Sequence, residues 1–194
     1  MASTAKPSPA LCALADIAAK AGEIVMRHYA NEAVATRKKA DMSPVTAADE
    51  EAEVFILGEL AKSFPGIATI AEEEVAAGHV RQIGARFFLV DPLDGTKEFI
   101  NRNGEFTVNI AEIENGKPAR GVVYAPAKGR LWAGETPGGA WEVPMSPGDR
   151  FVCEESHAIH VRKASADGMV AVASRSHRDS KTEEYLAHYK IKDF

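Results

Sequence analysis

Two aspartates separated by Pro92-Leu93 stand directly behind the apolar run Phe87-Phe88-Leu89-Val90 and are followed by Gly95-Thr96. The run reads as a buried strand that delivers the chain to Asp91. Pro92 removes a donor and fixes the local backbone, so the sequence predicts a stiff turn carrying both carboxylates in place of a continuing strand. Two carboxylates and the backbone carbonyl between them suit a hard cation such as Mg2+, which takes oxygen ligands. Exposed N–H groups around Gly95-Thr96, where a helix or turn is expected to start, suit a phosphate. Spacing alone is equally compatible with two solvated aspartates in an Asp-Gly turn.

Three further groups carry chemistry-bearing types. Glu72-Glu73-Glu74 follows an apolar run, as Asp91 does, so both acidic groups are expected at one sheet edge; an acidic triplet taken alone reads as solvated surface. Thr46-Ala47-Ala48-Asp49 has the spacing of a capping box at a helix start. The helix dipole favours an ionised carboxylate there, and a cap that fixes Asp49 also preorganises it to orient a water. Ser174-Arg175-Ser176-His177 offers hydroxyls, a guanidinium and an imidazole to a phosphate, or is an ordinary polar loop. His157 and His160 have no helical spacing and no third ligand near them, and take no role.

The elements that position these groups are legible from periodicity and breakers. Ser8-Pro9 predicts a helix start, and Leu11, Leu14, Ala18, Ala21, Val25 and Tyr29 keep helical spacing behind it. A second helix opens at Thr46 to Asp49, buries Ala52, Phe55, Ile56 and Leu60, and ends near Phe64-Pro65-Gly66. From Phe106 the pattern is an antiparallel meander, with hairpin turns at Asn115-Gly116 and at Pro137-Gly138-Gly139. A loop from Pro144 to about Ala158 precedes a strand at Val170 to Ala173 and a helix from Thr182 to Tyr189. Helices, a meander, then a strand–loop–helix unit predict an α+β or layered α/β/α fold.

Composition narrows the classes further. The 194 residues suffice for one sizeable domain or two small lobes, with 45% hydrophobic and 26% charged residues. A formal net charge of −5 argues against a broad nucleic-acid surface. The two cysteines, Cys12 and Cys153, fit neither a disulfide framework nor a structural zinc site, and point to a reducing cytoplasm. No apolar run reaches membrane-spanning length and no signal-peptide core follows the N-terminus, so a soluble protein is expected.

Val45-Thr46-Ala47-Ala48-Asp49, Glu72-Glu73 and Asp91-Pro92-Leu93-Asp94-Gly95-Thr96 occur in that order. Together they resemble the signature of the inositol monophosphatase-like superfamily of Mg2+-dependent, lithium-sensitive phosphatases. Gly95-Thr96-Lys97-Glu98-Phe99, the segment Asn103 to Ile110 and Ser174-Arg175-Ser176-His177 are most similar to its 3'(2'),5'-bisphosphate nucleotidase branch of bacterial sulfur assimilation. The resemblance runs from about Leu11 to the last residue.

It implies that Glu72, Asp91, Asp94 and the Leu93 carbonyl hold Mg2+, and that Asp49 and Thr96 form the catalytic pair accepting a proton from water. It also implies that Glu72, Leu93, Asp94, Gly95 and Thr96 meet the phosphate while Ser174 and His177 contact the nucleotide. The implied reaction removes the 3'-phosphate of adenosine 3',5'-bisphosphate, or of its sulfated relative PAPS. An inositol monophosphatase or other sugar-phosphate phosphatase is the neighbouring alternative. A non-catalytic metal-binding domain is the alternative of another class.

The implied architecture is a phosphatase lobe over residues 1–157, built on an antiparallel sheet, and the start of a second α/β lobe over 158–194. The family's later Trp-Asp motif, whose Asp completes the metal site, is not among these residues, nor is its Gly-Ser-rich nucleotide segment. The expectation is therefore an unfinished second layer, an incomplete metal site and low turnover. The expected partner is a small phosphorylated nucleotide, with no nucleic acid and no inserted membrane segment. A homodimer and peripheral inner-membrane association stay open.

Overall fold

Ser8 and Pro9 start the first helix in the structure, a computed structural model describing residues 6–31, 36–38, 44–79, 82–152, 155–163, 165–173 and 179–193. The Ser8 hydroxyl accepts from the Leu11 N–H at 3.2 Å, and Pro9 fills a position where no N–H is needed. This helix, α1 (Pro9–Ala30), buries Leu11, Leu14, Ala18, Ala21 and Val25 completely. Two three-residue strands follow, β1 (Thr36–Lys38) and β2 (Pro44–Thr46), paired antiparallel. Strands this short leave no periodicity to detect.

Helix α2 (Ala47–Ser63) buries Ala48, Ala52, Ile56 and Leu60, one residue per turn on one stripe. It stops at Phe64, ahead of Pro65 and of Gly66 at φ +82°. Beyond it come β3 (Ala68–Ala71), the short helix α3 (Glu72–Ala76), β4 (Arg86–Asp94) and the short helix α4 (Thr96–Ile100). The meander then runs through β5 (Thr107–Glu114), β6 (Lys117–Ala125), β7 (Arg130–Glu135), β8 (Gly139–Pro144) and β9 (His157–Ile159).

These strands form one seven-stranded sheet in the order β3-β4-β5-β6-β7-β8-β9. All neighbours are antiparallel except β3 and β4, which run parallel. The sheet is thus mixed at its first edge, because the chain crosses through α3 before entering β4. Asn115 and Gly116 close the β5–β6 hairpin with φ of +51° and +74°, the pair of positive values a type I′ turn requires. The loop read from Pro144 to Ala158 ends in β9, which pairs with β8.

Both long helices lie on one face of the sheet, α1 across β5 to β7 and α2 against β4. Phe88, Val108, Ile110, Val122, Tyr124 and Leu131 point into that layer and are nearly or fully buried. Each such side chain contributes about 1.5–3 kcal/mol by leaving water. On the opposite face Leu89 and Val123 remain about two-fifths exposed. The layered α+β class expected from sequence is the one observed.

By contacts the chain divides into Met1–Ile159 and His160–Phe194. The second unit holds β10 (Met169–Val170), α5 (Ser180–Leu186) and β11 (Ile191–Asp193), with β10 and β11 parallel. Asp179 caps α5 by accepting from the Thr182 N–H at 2.8 Å. The strand expected at 170–173 is two residues long, and β11 was not expected at all.

Candidate active site

Pro92 does not end the strand. β4 continues to Asp94, and the register passes from Asp91 opposite Asn109 to Asp94 opposite Thr107. Three steps on β4 therefore match two on β5, a bulge that re-aims the second carboxylate. Proline is tolerated there because a bulge does not call on its missing donor. Asp91 closes the local turn by accepting from the Leu93 N–H at 3.2 Å, while the Leu93 side chain is buried.

Parallel pairing brings the next acid into place. Ala71 lies opposite Val90, so the residues that follow, Glu72 and Asp91, leave the same edge side by side. β3 ends there and Glu72 becomes the first residue of α3.

Asp49 arrives from the helix layer. Thr46 is the N-cap of α2, its hydroxyl accepting from the Ala48 N–H at 3.2 Å. Asp49 reaches back with Oδ2 to the Thr46 N–H at 2.9 Å and the Thr46 hydroxyl at 2.5 Å, completing the capping box. Its other oxygen, Oδ1, lies 3.2 Å from Thr96 Oγ1, which is also 3.2 Å from the Leu93 carbonyl oxygen. The Thr96 hydroxyl has one proton and two acceptors within reach.

Gly95 makes the approach of Thr96 feasible. It holds φ +93°, and a Cβ there would lie 2.9 Å from the Glu105 carbonyl oxygen. Behind it Phe99, Phe106 and Tyr29 pack with ring centroids 4.9–5.3 Å apart, anchoring α4 against the end of α1.

The electrostatics are those of crowded like charges. Burial, then the charge and contact of Glu72, then the charge of Asp94, push the Asp91 carboxyl up to about 8, against which the Leu93 N–H is a minor offset. Burial also raises Asp49, opposed by its hydrogen bonds with Thr46 and Thr96. Among the described residues no three carboxylate, imidazole or thiolate side chains converge on one point. The donor chemistry nonetheless fits a divalent cation. Two touching carboxylates with a third close by need positive charge, and every donor is a hard oxygen, the Leu93 carbonyl included. Glu72 and Asp94 are exposed, so an ion can enter from solvent. Glu72, Asp91 and Asn109 are the polar lining of an otherwise apolar groove of about 460 Å³ on the sheet face away from α1 and α2.

Asp49, Glu72, Asp91, Leu93, Asp94, Gly95 and Thr96 are thus brought to one end of the β4 edge. Ser174 and His177 lie outside the described residues. Two participants were assigned no role from the sequence. Asn109 Nδ2 donates to Asp94 Oδ2 at 3.3 Å, and Glu53, nearly fully buried, binds the start of α3. An asparagine among the apolar residues of β5, and a glutamate one turn beyond Asp49, were the available signals.

The chain thus has a mixed sheet backed by two helices, with acids at a bulged Asp-Pro-Leu-Asp edge and a capped Asp49 behind them. The model of the inositol monophosphatase family matches residues 6–192, and the chain belongs to that family. It is 44% identical over 171 residues to the 3'(2'),5'-bisphosphate nucleotidase CysQ of Shigella flexneri, and 46% over 172 residues to that of Salmonella typhimurium. Each match covers 88% of this chain and 65% of the relative, so the chain spans about two thirds of their length. The crystal structure of CysQ from Bacteroides thetaiotaomicron superposes with a TM-score of 0.74 at 35% identity, covering 95% of this chain and 71% of that one. Among the described residues no helix is long and apolar enough to cross a membrane.

Proposed function

We propose that this chain carries the catalytic edge of a Mg2+-dependent phosphatase that hydrolyses the 3'-phosphate of adenosine 3',5'-bisphosphate to give AMP and phosphate, and PAPS likewise to APS. The observation that carries the reading is the Thr96 hydroxyl held between Asp49 and the Leu93 carbonyl, beside the crowded Glu72, Asp91 and Asp94. The named activity of the CysQ relatives supports the nucleotide substrate.

Glu72, Asp91, Asp94 and the Leu93 carbonyl are the residues that would hold Mg2+, which when bound neutralises phosphoryl charge and acidifies water. The chain's own groups do the rest. The N–H groups opening α4 at Gly95 and Thr96 receive the phosphate oxygens. Thr96 takes the proton of the attacking water and passes it to Asp49, whose lifted affinity for protons suits a base. The capping box keeps that carboxylate from turning away. Attack in line with the departing 3'-oxygen needs positioning more than covalent help. Ser174 and His177 are assigned to the nucleotide.

The test is phosphate release from adenosine 3',5'-bisphosphate and inositol 1-phosphate, with and without Mg2+. The order of the substrates matters more than the absolute rate. Mg2+-dependent release that favours the nucleotide supports the reading. Preference for inositol 1-phosphate moves the chain to the neighbouring branch. Absence of both release and calorimetric Mg2+ binding overturns the phosphatase.

A further inference from the structure

Ala71 occupies the N-cap position of α3 and has no side-chain acceptor to offer the first N–H groups of the helix. Those donors are served from elsewhere. Glu53 Oε2 accepts from the Glu73 N–H at 2.7 Å, and Glu53 Oε1 from the Glu74 N–H at 2.8 Å. Both oxygens of one buried carboxylate are thereby spent on the backbone immediately after Glu72, from a residue twenty positions earlier in the chain. A carboxylate so enclosed is costly unless its hydrogen bonds are made, and both are short and charge-assisted.

Glu53 also lies one helical turn beyond Asp49 on α2, and both are buried. One rigid helix therefore carries the carboxylate that meets Thr96 and, one turn along, the carboxylate that holds the start of α3. We infer that Glu53 is a positioning residue: it caps α3 at a distance and fixes Glu72 beside Asp91, with α2 setting the spacing between Glu72 and Asp49. The inference rests on the proposed function for the role of Glu72, but the anchoring itself is readable without metal.

Two variants and one control test it. Gln at this position has one acceptor oxygen for two donors, so E53Q leaves one N–H facing an amino group. E53D keeps the charge but withdraws it by one methylene. Mg2+ affinity is measured by calorimetry on the 194-residue chain, and exchange of the Glu73 and Glu74 amides on the metal-free protein. Both variants are expected to bind Mg2+ about tenfold more weakly, the range in which groups behind a metal ligand act, and to exchange those amides faster. I56V removes a buried methyl group from the same helix and should leave affinity and both amides unchanged.

Wild-type-like Mg2+ binding by E53Q, beside intact binding by the unmodified chain, overturns this inference alone. So does weakened binding in E53Q with normal binding in E53D, which assigns the effect to charge. A loss of affinity in I56V equal to that in E53Q reduces Glu53 to a general stabilising role. Failure of the unmodified chain to bind Mg2+ removes the role given to Glu53, and where phosphate release is absent too it overturns the proposed function.

Discussion

Thr96 and Asp49 are forty-seven positions apart, yet Oγ1 of one stands 3.2 Å from Oδ1 of the other. The contact joins the first turn of α2 to the first residue of α4, and neither element makes sense as a site without it. Its chemistry follows from proton count. With the Thr96 proton directed at the Leu93 carbonyl, the Asp49 proton has a hydroxyl oxygen to bond; with Asp49 ionised, the hydroxyl turns to it.

Asp49→Asn removes the proposed base but keeps the size. If Thr96 relays a proton to Asp49, turnover should fall by about 10²–10⁴, the usual worth of a positioned base. Mg2+ affinity should stay within about threefold, because Asp49 is not among the residues assigned to the ion, whose outer partners cost more than that. Thr96→Ser should retain most activity and Thr96→Val should lose it. Steady-state rates beside calorimetric Mg2+ titration decide the matter, and equal losses in rate and affinity would contradict the assignment.

The folded Asp91 carboxyl keeps its proton up to about pH 8, whereas in the unfolded chain it ionises near the ordinary aspartate value of 3.8. Between those limits the folded state binds more protons, so this group's contribution to stability is present at acid pH and declines as pH rises. Metal-free protein should therefore lose melting temperature across this window more steeply than Asp91→Asn does. The same linkage makes Mg2+ binding release a proton and tighten with rising pH. Calorimetry in buffers of different ionisation enthalpy measures that proton, and a pH-independent affinity would speak against Asp91 as a ligand.

The sequence made the linear parts of this site readable. Asp91 to Thr96 and Thr46 to Asp49 are runs whose geometry is local, a proline bulge in one and a capping box in the other. The neighbourhood of Glu72 and Asp91 was expected at one sheet edge, but the helix beginning at Glu72 was hidden by an acidic triplet that reads as solvated. Asn109 and Glu53 were not found because their roles depend on partners fifteen and twenty residues away, across a sheet register and between helices. The same limit hid Glu112. It sits almost fully buried between Arg86 and Arg120, a charge no periodicity argument places inside. The short strands β1, β2, β9 and β11 fell below the length at which alternation registers.

Gly95 gives the sharpest test of the scaffold. Its φ of +93° strains any L side chain, and a Cβ would stand 2.9 Å from the Glu105 carbonyl oxygen and 3.3 Å from Phe106 Cα. Both neighbours are backbone immediately before β5, so neither can rotate aside. Gly95→Ala should cost about 1–3 kcal/mol from the backbone conformation alone. The contact adds to that or is relieved by moving α4. In either case Thr96 leaves its position against Asp49, so turnover should fall by more than the loss of folded protein explains. Urea unfolding gives the stability, and rate per folded molecule gives the displacement. Phe99→Ala provides the comparison. It removes a fully buried ring from the Tyr29–Phe106 cluster and should cost about 3–5 kcal/mol. Because Phe99 holds α4 from beneath, that variant should also lower the rate per folded molecule, whereas Leu131→Ala, in the core below β7, should destabilise without doing so. A normal rate per folded molecule in Gly95→Ala would mean that the Thr96–Asp49 contact does not depend on this turn.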